Sequence, residues 1–193
     1  MAGSLTKRGR GAMTRVQSTA ATVGVGVGVL WAVYAVNVVL GQALFAFAIH
    51  SWTAQGLVGL LFSPFLHASL GHLVMNTSSF ALLGSLVHLR RPATFTTVSV
   101  LGALGSGLGA WLFSAPGTTT VGLSGVLFAY LGFLMTRGLF ERRAVDLALS
   151  VGVTALFGSM AWGVLPLTAG VSWQAHLFGF LTGIGVAARL GRR

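Results

Sequence analysis

Ser124 sits between glycines in the tetrapeptide Gly122-Leu-Ser-Gly125, and His176 follows 52 residues later. A serine hydroxyl is a weak nucleophile until a neighbouring base takes its proton, and histidine does this near neutral pH. The flanking glycines allow backbone and substrate to come close to the hydroxyl. His72 and Asn76 are one helical turn apart, so they share a face and are of the right type to donate hydrogen bonds to an oxyanion, as is the Ser124 backbone N–H. His67 precedes His72 by five residues, a poor match to that face, and follows Pro64, which places it at the junction with a loop. The two acidic residues, Glu141 and Asp146, both fall at the cytoplasmic end, away from this set. The chemistry expected is therefore acyl transfer by a Ser-His dyad without a carboxylate, with Phe128, one turn after Ser124, as the ring that stacks on the imidazole.

Something must hold these groups together. Of the 193 residues 54% are hydrophobic and 7% charged, where soluble domains carry about a quarter charged residues. With a mean hydropathy of +0.85, the chain lacks the polar residues to coat a water-soluble surface, and the bilayer is its solvent. Hydrocarbon leaves backbone polar groups only each other, which predicts an all-α polytopic protein. The formal charge of +10 would suggest nucleic acid in a soluble protein. Here the charges fall in clusters: Lys7, Arg8, Arg10 and Arg15, then Arg90 and Arg91, then Arg137, Arg142 and Arg143, then Arg189, Arg192 and Arg193. Clusters separated by about two membrane crossings are the signature of cytoplasmic ends, so a nucleic-acid partner is not expected. Cysteine is absent, which excludes disulfides, thiol catalysis and Cys-based metal sites.

The apolar runs set against these clusters predict six transmembrane helices, near 18–40, 68–89, 93–113, 122–137, 144–164 and 173–190, with both termini cytoplasmic. Residues 1–17 form a basic N-terminal segment, without regular structure through Arg15, and 18–193 the membrane domain. The first run has no evident signal-peptidase site and reads as a retained helix. Residues 41–64 are apolar but interrupted by polar groups; a crossing there would invert every later cluster, so this is an outer loop lying in the interface, anchored by Trp52 and Phe62. Ser114–Thr120 and Pro166–Gly170 are further outer loops. His50 and His88 read as interfacial, and Trp111, Trp162 and Trp173 as belt residues near helix ends. The Val-Gly alternation from Val23 to Gly28 reads as a close-packing surface.

Depth ties the plan to the chemistry. Ser124 precedes Arg137 by 13 residues, His176 precedes Arg189 by 13, and Asn76 precedes Arg90 by 14. At 1.5 Å per residue each lies roughly 20 Å above the inner boundary, about 10 Å beneath the outer one. Gly179 and Gly183 form a small-xxx-small face that would let the last helix meet the Ser124 helix closely. The other intramembrane serines, Ser69, Ser78, Ser79, Ser85, Ser99, Ser106, Ser150 and Ser159, read as structural, bonded to carbonyls one turn back. No cofactor is called for. A metal site built from His67, His72 and His176 would lack the usual carboxylate, and no HExxH motif is present.

From about Ala20 to the end, the chain resembles the six-helix bacterial form of the rhomboid intramembrane serine proteases. The resemblance rests on His67-Ala-Ser-Leu-Gly-His72-Leu-Val-Met-Asn76, on Gly122-Leu-Ser124-Gly125, and on Ala175-His176-Leu-Phe-Gly179 with Gly183, in that order on alternate helices. It implies that Ser124 attacks the scissile carbonyl, that His176 is the base, and that His72 and Asn76 line the oxyanion hole. It implies single-pass transmembrane proteins as substrates, a bacterial plasma membrane location, and a gate formed by the fifth helix and the loop after it. Three positions depart from the family pattern: Val58-Gly59 replaces a Trp-Arg pair, His88 replaces a glutamate, and Phe128 replaces a tyrosine. The competing reading is an inactive relative that binds membrane helices without cutting them.

Overall fold

The computed structural model describes residues 2–191; Met1 and the arginines Arg192 and Arg193 of the last basic cluster lie outside the described residues. The first helix, α1, spans Ala2–Val39. It passes through the 17/18 boundary without a break, and the stretch through Arg15, expected to be irregular, is helical. Most of that stretch consists of good helix formers, and the apolar run that follows supplies the nucleus from which a helix propagates. The helix α2 covers Leu70–Arg90, with a π-helical turn at Phe80–Gly84; Ser69 caps it by accepting from the His72 N–H at 3.1 Å. The helix α3, Pro92–Phe113, begins with proline at its first turn, where a missing N–H costs nothing. The helix α4 is Ser124–Glu141 and ends on Arg142, whose φ of 53° reverses the chain. Next comes α5, Ala144–Phe157, continuing as a 3-10 segment through Val164. The last helix, α6, is Trp173–Gly191.

Helical runs thus cover each of the six stretches read from the sequence. Four are long and apolar enough to cross a membrane by length and composition: Gly11–Val39, Leu70–Arg90, Pro92–Phe113 and Ala144–Val164. The chain is an integral membrane protein, and its surface agrees, with Leu156 77%, Met75 72% and Leu139 65% exposed. The other two are α4 and α6, and for α4 the packing gives the reason. Every residue from Gly125 to Leu134 is buried, and Tyr130, Phe133, Leu127, Leu131 and Leu134 are among the largest fully buried side chains. A helix ringed by other helices has no need to match lipid.

Glycines set how close the neighbours come. A methyl group built on Gly179 would strike the Gly125 carbonyl, and one on Gly183 the Ala129 carbonyl, so α4 and α6 run parallel with backbones touching. Ser106 meets Gly125, and Gly102 meets Ala129, which makes α3 antiparallel to α4. Ser99 donates to the Phe95 carbonyl one turn back and also meets Tyr130 Oη at 2.6 Å. Ser150 departs from the expected pattern: its hydroxyl donates to the Leu134 carbonyl and accepts the Gly138 N–H, both on α4, so it joins two helices. Among the glycines of the Val-Gly stretch Gly26 packs closely, against the Phe80 ring, while Gly24 and Gly28 face open space; Val23 is buried in the core. His88 is also corrected, being 4% exposed, with Nδ1 2.8 Å from Thr19 Oγ1 and its ring edge-on to Phe95. A partner hydroxyl on α1 allows the imidazole to be buried there.

Outside the helices, residues 41–65 fold into short helical turns, with β1 (Ile49–His50) pairing antiparallel to β2 (Thr119–Thr120). The buried Ser51 donates from Oγ to the Ala110 carbonyl at 3.2 Å. Trp52 is largely exposed but donates to the Ser114 carbonyl at 3.0 Å and stacks on Trp111, which donates to the Thr53 carbonyl at 2.9 Å. Phe62 is half-exposed against Phe47. At the Val58-Gly59 departure, any side chain on Gly59 would collide with the Ala48 backbone, so this loop is fastened by backbone contact.

Where α2, α4 and α5 meet at the arginine-rich end, Asp146 is fully buried and pairs with Arg90 and with Arg137 (3.1 Å), while Arg137 also reaches Glu141 at 2.7 Å. Removing one partner of a buried pair leaves an uncompensated charge. Asp146→Ala should therefore cost about 3–5 kcal/mol of stability in detergent, whereas Glu141→Ala, which leaves the Arg137–Asp146 contact intact, should cost about 1 kcal/mol or less. Denaturant or thermal unfolding of the two variants measures this, and equal losses would contradict the hub role of Asp146.

Candidate active site

Ser124 is the first residue of α4, where a helix has backbone N–H groups without intrahelical acceptors and the positive end of its dipole. The N–H groups of Val126 and Leu127 are taken by the Leu123 carbonyl at 2.9 and 3.1 Å; those of Ser124 and Gly125 come before any helical acceptor. His176 lies in the first turn of α6, and its backbone N–H is held by the Ser172 carbonyl at 3.2 Å. The parallel contact of α4 and α6 brings the two side chains together, with His176 Nε2 2.9 Å from Ser124 Oγ. The imidazole is 8% exposed, and the serine is half-buried.

Two things orient the ring. Phe128 stacks on it, with centroids 4.1 Å apart and planes 10° from parallel. The other ring nitrogen, Nδ1, lies 2.9 Å from the Gly163 carbonyl oxygen. A carbonyl only accepts, so Nδ1 carries the proton and Nε2 presents a lone pair to the serine hydroxyl. Nothing in the sequence signals Gly163, because it contributes through its backbone.

On the other side of the serine, Gly122 has a φ of +115° and packs against α2. A methyl group there would sit 2.7 Å from His72 Nε2 and 3.3 Å from Asn76 Nδ2. The structure thus brings His72 and Asn76 to the turn that presents Ser124. Asn76 is 4% exposed, and its Nδ2 has no partner among the described residues. An unpaired buried donor is costly, and such groups call for a role. Gly122 itself is fixed from outside: its N–H donates to the Ser63 carbonyl at 2.9 Å, which ties the outer loop to the serine turn. His67 is fully buried at the loop junction, edge-on to the His72 ring with centroids 5.1 Å apart. It touches His72, and the structure gives it no contact with Ser124 or His176. Gly125, Gly179 and Gly183 stand at the α4–α6 contact as described.

An apolar recess of about 440 Å³ is lined by residues that include Leu30, Leu60, Phe80, Tyr130 and Leu123, and not by Ser124 or His176. Among the described residues no three His, Asp or Glu side chains gather as a metal-ion set. The arrangement sets a hydroxyl within hydrogen-bond reach of an imidazole, beside amide donors, which is the geometry that acyl transfer requires.

Residues 54–193 match the Rhomboid domain family. An uncharacterized protein of Mycobacterium bovis is 34% identical over 172 residues, covering 85% of this chain and 71% of the relative. An uncharacterized protein of Mycobacterium leprae is 39% identical over 142 residues, 68% of this chain and 55% of the relative. The Rhomboid protease GlpG of Yersinia pestis is 33% identical over 132 residues, 64% of this chain and 44% of that protein.

The geometry predicts that a serine-directed fluorophosphonate labels the detergent-solubilised protein at a single serine. Labelling should vanish in Ser124→Ala and fall by about 10³-fold or more in His176→Ala. Undiminished labelling of Ser124→Ala would move the nucleophile elsewhere.

Proposed function

Because the chain belongs to the rhomboid family, we propose that it is an intramembrane serine endopeptidase that cuts the transmembrane segments of single-pass membrane proteins. The observation that carries this reading is the 2.9 Å approach of Ser124 Oγ to His176 Nε2 beside an unpaired Asn76 amide. In the reaction, Ser124 Oγ attacks the scissile carbonyl while its proton passes to Nε2. The oxygen becomes an oxyanion facing the Asn76 amide, His72 and the N-terminal N–H groups of α4, donors that strengthen as charge develops. The imidazolium then gives its proton to the leaving amine, and the acyl-enzyme is hydrolysed by water activated at the same Nε2. No metal or cofactor takes part.

The same reading has six crossings with both termini cytoplasmic, in a bacterial plasma membrane. Two structural facts support it. The basic residues Arg90 and Arg137 meet in one ion cluster at the ends of α2 and α4, and the serine lies at the opposite end of α4 from that cluster. Substrates would then be cut close to their outer end. The imidazole, hydroxyl and oxyanion donors are all in place, which favours catalysis over an inactive helix-binding role.

Reconstituted with a single-pass substrate in vesicles, the unmodified protein should yield two fragments. Ser124→Ala and His176→Ala should each lower kcat by about 10⁴–10⁶. Comparable cleavage in either variant, or substrate capture without cleavage by the unmodified protein, would overturn the assignment. Asn76→Ala should reduce kcat by about 10²–10³ with little change in KM; a rise in KM alone would remove Asn76 from the oxyanion hole.

A further inference from the structure

We propose that the main-chain carbonyl of Gly163 is the third member of the Ser-His arrangement, a positioning group that fixes the tautomer and the plane of the His176 ring. The inference rests on the hydrolase reading and goes beyond the dyad expected from the sequence. In serine hydrolases with a full triad, a buried carboxylate accepts the Nδ1–H and holds the imidazole for its task. Here the two carboxylates belong to the ion cluster at the far end of α4 and cannot serve. The Gly163 oxygen, 2.9 Å from Nδ1, occupies the carboxylate's place. It is neutral, so it orients the ring without adding a charge that the low-dielectric site would have to bear.

The carbonyl is delivered by an unusual segment. Residues 158–164 form a 3-10 stretch that ends α5, and none of them is fully buried; at seven residues it is longer than the short pieces in which this helix usually occurs. A methyl group built on Gly163 would lie 2.7 Å from Phe128 Cζ and 3.3 Å from His176 Nδ1. Imidazole, phenyl ring and the 163 backbone are therefore packed in mutual contact, and only glycine leaves room for all three. The orientation of the base depends on where this segment lies, so a displacement of 158–164 would take the acceptor away from Nδ1–H and let the neutral ring exchange its proton through water, losing it at Nδ1 and gaining one at Nε2, facing the serine. That tautomer cannot accept the hydroxyl proton.

Solution NMR of the unmodified full chain in detergent micelles, with ¹⁵N-labelled histidine and the His176 signals assigned by loss in His176→Ala, reads the tautomer directly. The proposal expects the proton on Nδ1. Gly163→Ala should shift that signal toward mixed tautomers and lower kcat about 10–10²-fold with KM little changed, less than the ~10⁴-fold seen when a triad carboxylate is replaced. Ser159→Ala, an exposed change in the same segment, should leave tautomer and kcat as they were. An Nε2–H tautomer in the unmodified protein would overturn the positioning role even if Gly163→Ala fails to fold. A folded Gly163→Ala variant with unchanged kcat and tautomer would do so too. Both outcomes leave the hydrolase reading standing provided that fluorophosphonate still labels Ser124, and absence of that labelling sinks the hydrolase reading first.

Discussion

The contact on which everything else rests is the one between the backbones of α4 and α6. At Gly125 and Gly179, and again at Ala129 and Gly183, a carbonyl of one helix occupies the space where the other would carry a side chain. That closeness is what lets a short serine side chain reach an imidazole on a different helix. In lipid there is no hydrophobic gain from joining two apolar helices, so dispersion contact between small residues has to supply the attraction. The glycines thus serve packing and the site at once: the surface that holds the helices together sets the distance between the Ser124 hydroxyl and the His176 imidazole.

The rest of the molecule fixes the two ends of this contact. At the arginine-rich end, Asp146 gathers Arg90 and Arg137 and so locks α2, α4 and α5 to one another. At the other end the outer loop does the same work with backbone bonds and tryptophan contacts, culminating in the Ser63 carbonyl that holds Gly122. Between them α4 is buried along ten consecutive residues, Gly125 to Leu134. The most deeply buried part of the protein is therefore the part that carries the serine, and the 3-10 stretch at 158–164, none of it fully buried, is the part that touches the imidazole.

Much of the candidate site was legible because side-chain chemistry carried it. Counting residues from the arginines placed Ser124, His176 and Asn76 at one level, and the structure brings Ser124 to His176 and Asn76 to the Gly122 turn. The Phe128 ring lies on the imidazole. What the sequence hid was contributed by backbone or by partners distant in the chain. Gly163 meets the His176 ring through a carbonyl that every residue possesses. Ser150 bonds another helix instead of its own because the Leu134 carbonyl and the Gly138 N–H are within its reach. His88 looks like a boundary residue until Thr19 is found opposite it. The N-terminal residues looked disordered by composition, which ignores that a helix already nucleated in the following run extends cheaply.

The sheathing of α4 has a mechanical consequence. Along the buried stretch from Gly125 to Leu134 α4 takes no direct load from lipid, so there variation in bilayer thickness is absorbed by tilt in the helices around it. The reactive hydroxyl keeps its height relative to the bundle while the lipid surface rises or falls against it. Ser124 then acts like a fixed mark on a gauge, and in the proposed reaction the bond presented to it would be chosen as much by how deeply the incoming polypeptide sits as by its side chains.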